Sequence, residues 1–283
     1  MILLLGASGF IGKNIARAFD KNHIEYLAPS RFELNIFSTV ALHEYFEKHP
    51  ITKIIWCVTM YSPLKNVENI NDEVAFKNIL VVCENFLVDI IYLGSMSEVN
   101  HSGIIKNENY FTVVPDTQYG KSKQLISNLL LQASNKIKKH NLRLFGVFGD
   151  GEDKHRLIPS VIDTVQTSNP LKLSDCLQER DFINVQAVAD VVITIIQNPD
   201  VPSGLYNIGS GVGVQVRQLL LSVVPELYKP LLLFGEQARR PTDINQQIAC
   251  IRRSSLILDL DQILHRHLDV GSYIKNEIKY ANI

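Results

Sequence analysis

The sequence predicts a doubly wound parallel α/β sheet followed by a smaller C-terminal α/β lobe. Short apolar runs alternate with amphipathic stretches through the first half of the chain. That is the pattern of parallel strands joined by crossover helices. The run Gly6-Ala7-Ser8-Gly9-Phe10-Ile11-Gly12 stands between the first apolar run and the first amphipathic stretch, where a strand hands over to a helix. After Gly149 the alternation becomes shorter and less regular, which marks the second lobe.

Residues 2–5 read as a buried strand. The opening run lacks the basic residues of a leader peptide and Gly6 ends it too early for one. Residues 13–21 read as a helix, 25–28 as a strand, 40–48 as a helix and 53–58 as a strand. Residues 74–86 follow as a helix, 89–93 as a strand, 122–140 as a helix and 142–148 as a strand. Right-handed crossovers then put helices on both faces of one sheet. Gly149-Asp150-Gly151-Glu152-Asp153 is a turn cluster. Beyond it, 157–166, 185–196 and 215–224 read as helices and 204–208 as a strand. The 225–241 region is punctuated by Pro225, Pro230, Gly235 and Pro241. The organisation expected is a first domain over 1–150, completed by about 180–210, and a partly interleaved lobe over 151–283.

The chain of 283 residues is 46% hydrophobic and 20% charged, with formal net charge -1. That composition fits a soluble globular protein and gives no reason to expect a polyanion partner such as nucleic acid. Cys57, Cys83, Cys176 and Cys250 form neither a C-x-x-C metal pair nor a disulfide framework. They read as free thiols in a reducing cytoplasm. No run reaches the ~18 apolar residues of a membrane span. His265 and His267 read as exposed helix residues, and no grouping suggests a metal.

Gly6, Gly9 and Gly12 form G-x-x-G-x-x-G. Glycine allows a tight turn and close approach of a pyrophosphate to backbone N–H groups, and the helix N-terminus that follows favours anions. With Ser8, Phe10 and Ile11 they are the candidate phosphate contacts of a dinucleotide-binding (Rossmann) half. The second strand ends Leu27-Ala28-Pro29-Ser30-Arg31. An acidic residue there would accept bonds from a ribose 2′-OH. Ser30 and Arg31 instead suit the 2′-phosphate of NADP(H). NAD(H) stays open, with Arg31 then a solvated surface residue.

Tyr119 and Lys123 lie four apart and share a face if helical. A free tyrosine has a pKa near ~10 and is a poor acid at neutral pH. A neighbouring ammonium stabilises the phenolate, and Lys123 also has donors for a nicotinamide ribose. An apolar strand ending Leu93-Gly94-Ser95 lies between this pair and the glycine loop.

On these motifs the chain resembles the extended short-chain dehydrogenase/reductase family, in its nucleotide-sugar epimerase, dehydratase and reductase branch. Phe76-Lys77-Asn78 is similar to a helix carrying a structural Asn. Glu179-Arg180-Asp181-Phe182-Ile183-Asn184-Val185 is similar to the R-D-[FY]-[IV]-x-V motif, and Leu205-Tyr206-Asn207-Ile208-Gly209 to the strand after it. Arg31-Phe32-Glu33-Leu34-Asn35 and Tyr92-Leu93-Gly94-Ser95 are close to runs of GDP-fucose synthase-like 4-keto-6-deoxy-sugar reductases. The resemblance implies Ser95, Tyr119 and Lys123 as the catalytic set, and Asn35 and Ile36 as further cofactor contacts. It implies Arg180 and Arg239 or Arg240 at the nucleotide diphosphate, with Arg156 at the sugar or phosphate.

The chain departs from the family where Val99-Asn100 replaces Val-Tyr. Counting back from Asn100 reaches Met96, whereas the strand end gives Ser95; Ser95 is the reading, with Ser97 the fallback. Ser97-Glu98 is all that stands where the branch's dehydratases carry an acid pair. Cys57-Val58-Thr59-Met60 stands where the family prefers small residues. The function implied is NADP(H)-dependent reduction of a nucleotide-linked 4-keto-6-deoxy sugar at C4. The alternatives are an epimerase or dehydratase with tightly bound NAD, and a catalytically silent NADP-binding regulator. Family analogy also implies a homodimer formed through the 74–86 and 122–140 helices.

Overall fold

The computed structural model describes residues 1–59, 70–99, 103–105, 108 and 114–280. Met60 and Asn100, which enter two of the motif comparisons, lie outside the described residues.

In chain order the first elements are β1 (Ile2–Leu5), α1 (Phe10–Lys21), β2 (Tyr26–Leu27), α2 (Thr39–Lys48), β3 (Lys53–Trp56), α3 (Ile70–Phe86) and β4 (Asp89–Ser95). Next come β5 (Gly103–Ile105), α4 (Gln118–Gln132), β6 (Lys139–Leu144), β7 (Val147–Phe148), α5 (Leu157–Thr167), β8 (Leu171–Leu173), β9 (Glu179–Asp181) and β10 (Ile183–Asn184). The chain continues through α6 (Val185–Gln197), β11 (Gly204–Ile208), β12 (Gly213–Gln215), α7 (Val216–Val223), β13 (Leu232–Phe234) and β14 (Gln246–Ala249). It closes with α8 (Arg252–Leu258), α9 (Leu260–His265) and α10 (Val270–Tyr280).

The described residues gather into two compact units: 1–59, 70–99, 108, 114–144 and 189–207 in one, and 103–105, 145–188 and 208–280 in the other. The six-stranded sheet has the order β11-β6-β4-β3-β1-β2. Pairings from β2 through to β6 are parallel. The chain builds outward from β1 on both sides, so the strand order reverses between β1 and β3. That switch point is where open α/β sheets receive ligands. The parallel sheet and its helices are the doubly wound Rossmann-like fold that the sequence predicts. In the first unit, Leu3, Leu5, Ile54, Trp56 and Ile90 bury against Phe76, Ile79 and Ile126. Trp56 and Tyr92 meet the Phe76 ring edge-on, at 5.2 and 5.3 Å.

The second unit holds a mixed sheet in the order β12-β9-β14-β5, with β12 antiparallel to β9. Its core gathers Phe148, Val161, Leu173, Leu220, Val270 and Ile274. The sequence reading places His265 and His267 on a helix, and the structure ends α9 at the exposed His265 with His267 half-buried beyond it. That reading gives no bounds for the three helices over 252–280. They are short, and α8 and α9 lack the N-cap side-chain bond that marks a helix start.

The 122–140 helix of the sequence reading is corrected at both ends. Thr117 caps α4 by accepting from Gly120 N at 3.0 Å, so the helix begins at Gln118. It ends at Gln132, and Lys139-His140 opens β6 instead. Every residue of β6 is buried. Its polar side chains find partners far along the chain: His140 Nε2 meets Val201 O at 3.2 Å and Asn141 donates to Ser127 Oγ at 2.8 Å.

Candidate active site

The glycine loop sits at the switch point. Gly6 has φ +86°, and an added Cβ there would stand 2.8 Å from the carbonyl carbon of Cys57, at the end of β3. Only glycine takes this conformation without strain. Gly9 N donates to Gly6 O at 3.0 Å and Lys13 N to Gly9 O at 2.9 Å, which closes the turn into α1. Gly9 is the N-cap and carries no capping side chain. The first N–H groups of a 12-residue helix therefore open on a loop of glycines, an arrangement that fits a dinucleotide pyrophosphate. Ser8 is exposed, and Phe10 and Ile11 are half-buried beside it.

Past β2, Ser30 O accepts from Glu33 N at 3.1 Å and Leu34 N at 3.0 Å, while Glu33 Oε2 accepts from Ser30 N at 2.7 Å. That bond holds the Glu33 carboxyl below its ordinary range. Leu34 is buried and anchors the turn. Arg31 is exposed, its guanidinium 5.1 Å from the Phe32 ring, and Phe32 is itself 86% exposed. Asn35 Oδ1 accepts from Phe37 N at 3.0 Å, and Ile36 O accepts from Asn78 Nδ2 at 3.3 Å. Asn78 thus ties α3 to the loop that follows Arg31.

Tyr119 is in the first turn of α4 and half-buried; Lys123 is one turn on and buried. Lys123 belongs to the buried stripe Gly120, Lys123, Ile126, Ser127 and Leu130, whose spacing is that of one helix face. Its ammonium donates to Leu93 O at 3.0 Å and lies 5.0 Å from the Tyr92 ring and 5.8 Å from the Tyr119 ring. Two faces of aromatic π density and one carbonyl thus hold the charge in place. Ser95 closes β4, is buried, and caps the short 3-10 turn Met96–Glu98 by accepting from Ser97 N at 3.2 Å. Ser97, the fallback hydroxyl, is half-buried on that turn.

Glu98 faces inward and is wholly buried, in an ion pair with the equally buried Arg143. Sequence reasoning overlooked this pair. The signal was the charged residue inside the apolar run Leu142-Arg143-Leu144, which a buried strand tolerates only with a partner.

In the second unit, Arg180 Nη1 donates to Glu179 O at 2.8 Å and its Nη2 pairs with Asp243. Burial lowers the pKa of this guanidinium and Asp243 opposes the shift. Arg239 Nε lies 3.4 Å from Asp243 Oδ2 and 3.7 Å from Asp175 Oδ1. Two of the predicted arginines therefore converge on one carboxylate, while Arg240 is exposed. Asp181, beside Arg180, is fully buried and accepts from Ser210 N at 2.6 Å, Ser210 Oγ at 2.7 Å, and Gly211 N and Ala249 N at 3.0 Å. It fixes β9, and with it the backbone that carries Arg180.

Arg156 is exposed at the N-cap of α5 and pairs through Nε with Glu152 at 2.7 Å. Burial pushes the Glu152 carboxyl up to about 7, against the pull of Arg156. The fold thus favours the protonated acid. Stability from this group is full below the ordinary value of 4.5 and is lost as pH rises through about 7. The difference is roughly 3 kcal/mol at ~1.4 kcal/mol per unit. Denaturant unfolding at pH 4.5 and 8 should show a smaller pH dependence in Glu152→Gln than in the wild type.

Among the described residues, no group of three or more His, Cys, Asp or Glu side chains is placed to hold a metal ion. No described helix is long and apolar enough to cross a membrane. All four cysteines are free, Cys83 and Cys176 buried and Cys57 and Cys250 half-buried.

Several known proteins are similar to this chain. CDP-abequose synthase of Salmonella typhimurium is 25% identical over 234 residues, 78% of each chain. GDP-6-deoxy-D-talose 4-dehydrogenase of Aggregatibacter actinomycetemcomitans is 25% identical over 235 residues, 77% of each chain. The structure of a GDP-mannoheptose C4 reductase from Campylobacter jejuni with NADP bound has the same fold. Its TM-score is 0.78 at 15% identity, covering 99% of this chain and 97% of that one. The model of the NAD dependent epimerase/dehydratase family matches residues 2–209, and the chain belongs to that family.

Proposed function

We propose that this protein uses NADPH to reduce the C4 keto group of a nucleotide-linked 4-keto-6-deoxy sugar. The observation that carries the reading is the buried Lys123 ammonium, held by Leu93 O and 5.8 Å from the Tyr119 ring, on the helix stripe whose Gly120 packs against Ser97 O of the turn that Ser95 caps. A bound nicotinamide cofactor supplies the hydride. Tyr119 gives its hydroxyl proton to the oxygen that becomes the C4 alcohol, and Ser95 Oγ hydrogen-bonds that oxygen. Lys123 keeps a positive charge beside the phenolate that forms and meets the nicotinamide ribose. Arg180 and Arg239 bind the substrate diphosphate, exchanging part of their pairing with Asp243 for phosphate oxygens.

Reduction is favoured over water elimination because Glu98, which stands where the dehydratases place an acid, is paired with Arg143 and with Ser127. A relative whose name places redox chemistry at position 4 of a GDP-6-deoxy sugar points the same way. NADPH is favoured over NADH because Arg31 is exposed in the loop after β2 and Glu33, two residues on, is engaged with Ser30 N. Arg31→Ala should therefore raise KM for NADPH about 10-fold or more, the loss of one charge-assisted phosphate contact, and leave KM for NADH within twofold. Parallel titrations of both cofactors check this.

The protein acts in the cytoplasm as a homodimer in this reading, joined through α3 and α4, which expose Val74, Val81, Leu125 and Leu131. Sedimentation gives its mass in solution. The reaction itself is tested by NADPH consumption over GDP-, dTDP-, CDP- and UDP-linked 4-keto-6-deoxy sugars. Stoichiometric NAD retained through purification, with no NADPH consumed on any of them, would instead establish the epimerase.

A further inference from the structure

Beneath the Ser95 turn lies a buried polar cluster that the proposed chemistry does not use. Glu98 and Arg143 are each 0% exposed and form an ion pair through Glu98 Oε1. The other carboxylate oxygen accepts from Ser127 Oγ, which in turn accepts from Asn141 Nδ2 at 2.8 Å. Arg143 Nη1 donates to Asn207 Oδ1 at 3.2 Å, and Gln124 Nε2 donates to the Glu98 backbone carbonyl at 3.0 Å.

Two glycines make room for this cluster. A Cβ on Gly94 would stand 2.5 Å from Asn141 Oδ1 and 3.4 Å from Glu98 Oε2. A Cβ on Gly120 would stand 2.6 Å from Pro115 Cβ and closer still to Ser97 O. The turn can therefore press against the start of α4. The cluster joins β4, its turn, α4, β6 and β11. The turn begins at Ser95. The helix carries Tyr119 and Lys123, and its two contacts with Glu98, Gln124 and Ser127, fall immediately and one turn after Lys123.

We propose that the Glu98–Arg143 pair is a positioning device that sets Ser95, on its turn, against Tyr119 and Lys123 on their helix. The inference rests on the roles proposed above for those three residues. Apolar side chains of the same volume would fill this space and allow the turn to shift along the helix. A buried ion pair is satisfied in one arrangement only, because any slip leaves a desolvated charge without its partner. Arg143 and Ser127 occupy one Glu98 oxygen each, so the carboxylate serves the protein and not the substrate.

A displacement of about 1 Å at a reacting group costs on the order of 10²-fold in rate. Glu98→Gln should lower kcat roughly 10- to 100-fold, with KM for the keto sugar and NADPH affinity within about threefold of wild type. Ser127→Ala keeps both charges and removes one bond. It should lower kcat about three- to tenfold with little change in unfolding temperature, and it decides the matter if Glu98→Gln does not fold. Both variants should keep the shape of the wild-type pH–rate profile. Folded variants with kcat within twofold of wild type would overturn the inference. So would loss of one limb of that profile in Glu98→Gln, because Glu98 would then exchange a proton itself. A wild-type protein that binds NADPH yet consumes none on any keto sugar would fail earlier, at the reaction, and remove the basis for this role.

Discussion

Tyr119→Phe should lower turnover of the keto sugar by about 10²- to 10⁴-fold, the range for loss of a positioned acid. NADPH affinity should stay within about twofold, because the ring remains against the Lys123 ammonium at the 5.8 Å seen here and only the hydroxyl is gone. The pairing of a large loss in kcat with an unchanged cofactor Kd separates proton delivery from scaffolding. Titration calorimetry and single-turnover NADPH oxidation measure the two sides. NADPH binding by both proteins, with no turnover in either and unchanged properties in the variant, would favour a silent NADP-binding regulator instead.

Gly12→Ala should weaken cofactor binding strongly while leaving the second unit folded. An added Cβ would stand 2.8 Å from Gly6 C, 2.9 Å from Ala7 Cα and closer still to Gly6 O, all of them backbone atoms that have no rotamer to yield. Overpacking of this kind costs about 1–3 kcal/mol, and the loop that must move is the one proposed to hold the pyrophosphate. At ~1.4 kcal/mol per tenfold, Kd for NADPH should rise by one to two powers of ten or more. Gly9→Ala is the control. Its Cβ would meet only Gly6 O, at 3.4 Å, so a fall in the unfolding temperature of the cofactor-free protein equal to that of Gly12→Ala would contradict the packing argument.

The first unit was legible because its signals are local. The strand-to-helix handover at Gly6–Gly12 and the four-residue spacing of Tyr119 and Lys123 need no knowledge of distant residues. The misreading of 133–140 as helix has the opposite cause. Lys139, His140, Asn141 and Arg143 lie on a strand buried throughout, and their polarity makes sense only through Ala133 O, Val201 O, Ser127 and Glu98. A single chain read in order shows the polar residues and hides their partners. For the same reason Arg180 and Arg239 read as ligand contacts, while their shared carboxylate Asp243 and the four donors around Asp181 went unseen. α8 and α9 were missed for want of caps; α10 does carry one, Asp269 Oδ1 accepting from Ser272 N at 2.9 Å, and packs Val270, Ile274 and Ile278 into the second core.

The account stands most directly on where the hydride goes. Wild-type protein should be incubated with NADPH deuterated at the transferable C4 position and with the nucleotide-linked 4-keto-6-deoxy sugar that supports consumption. The product should then be read by proton NMR and mass spectrometry. One deuterium per product, located at sugar C4, with NADPH consumed in equal amount, is the predicted result. Product that carries no deuterium, with the added NADPH left intact, would contradict it.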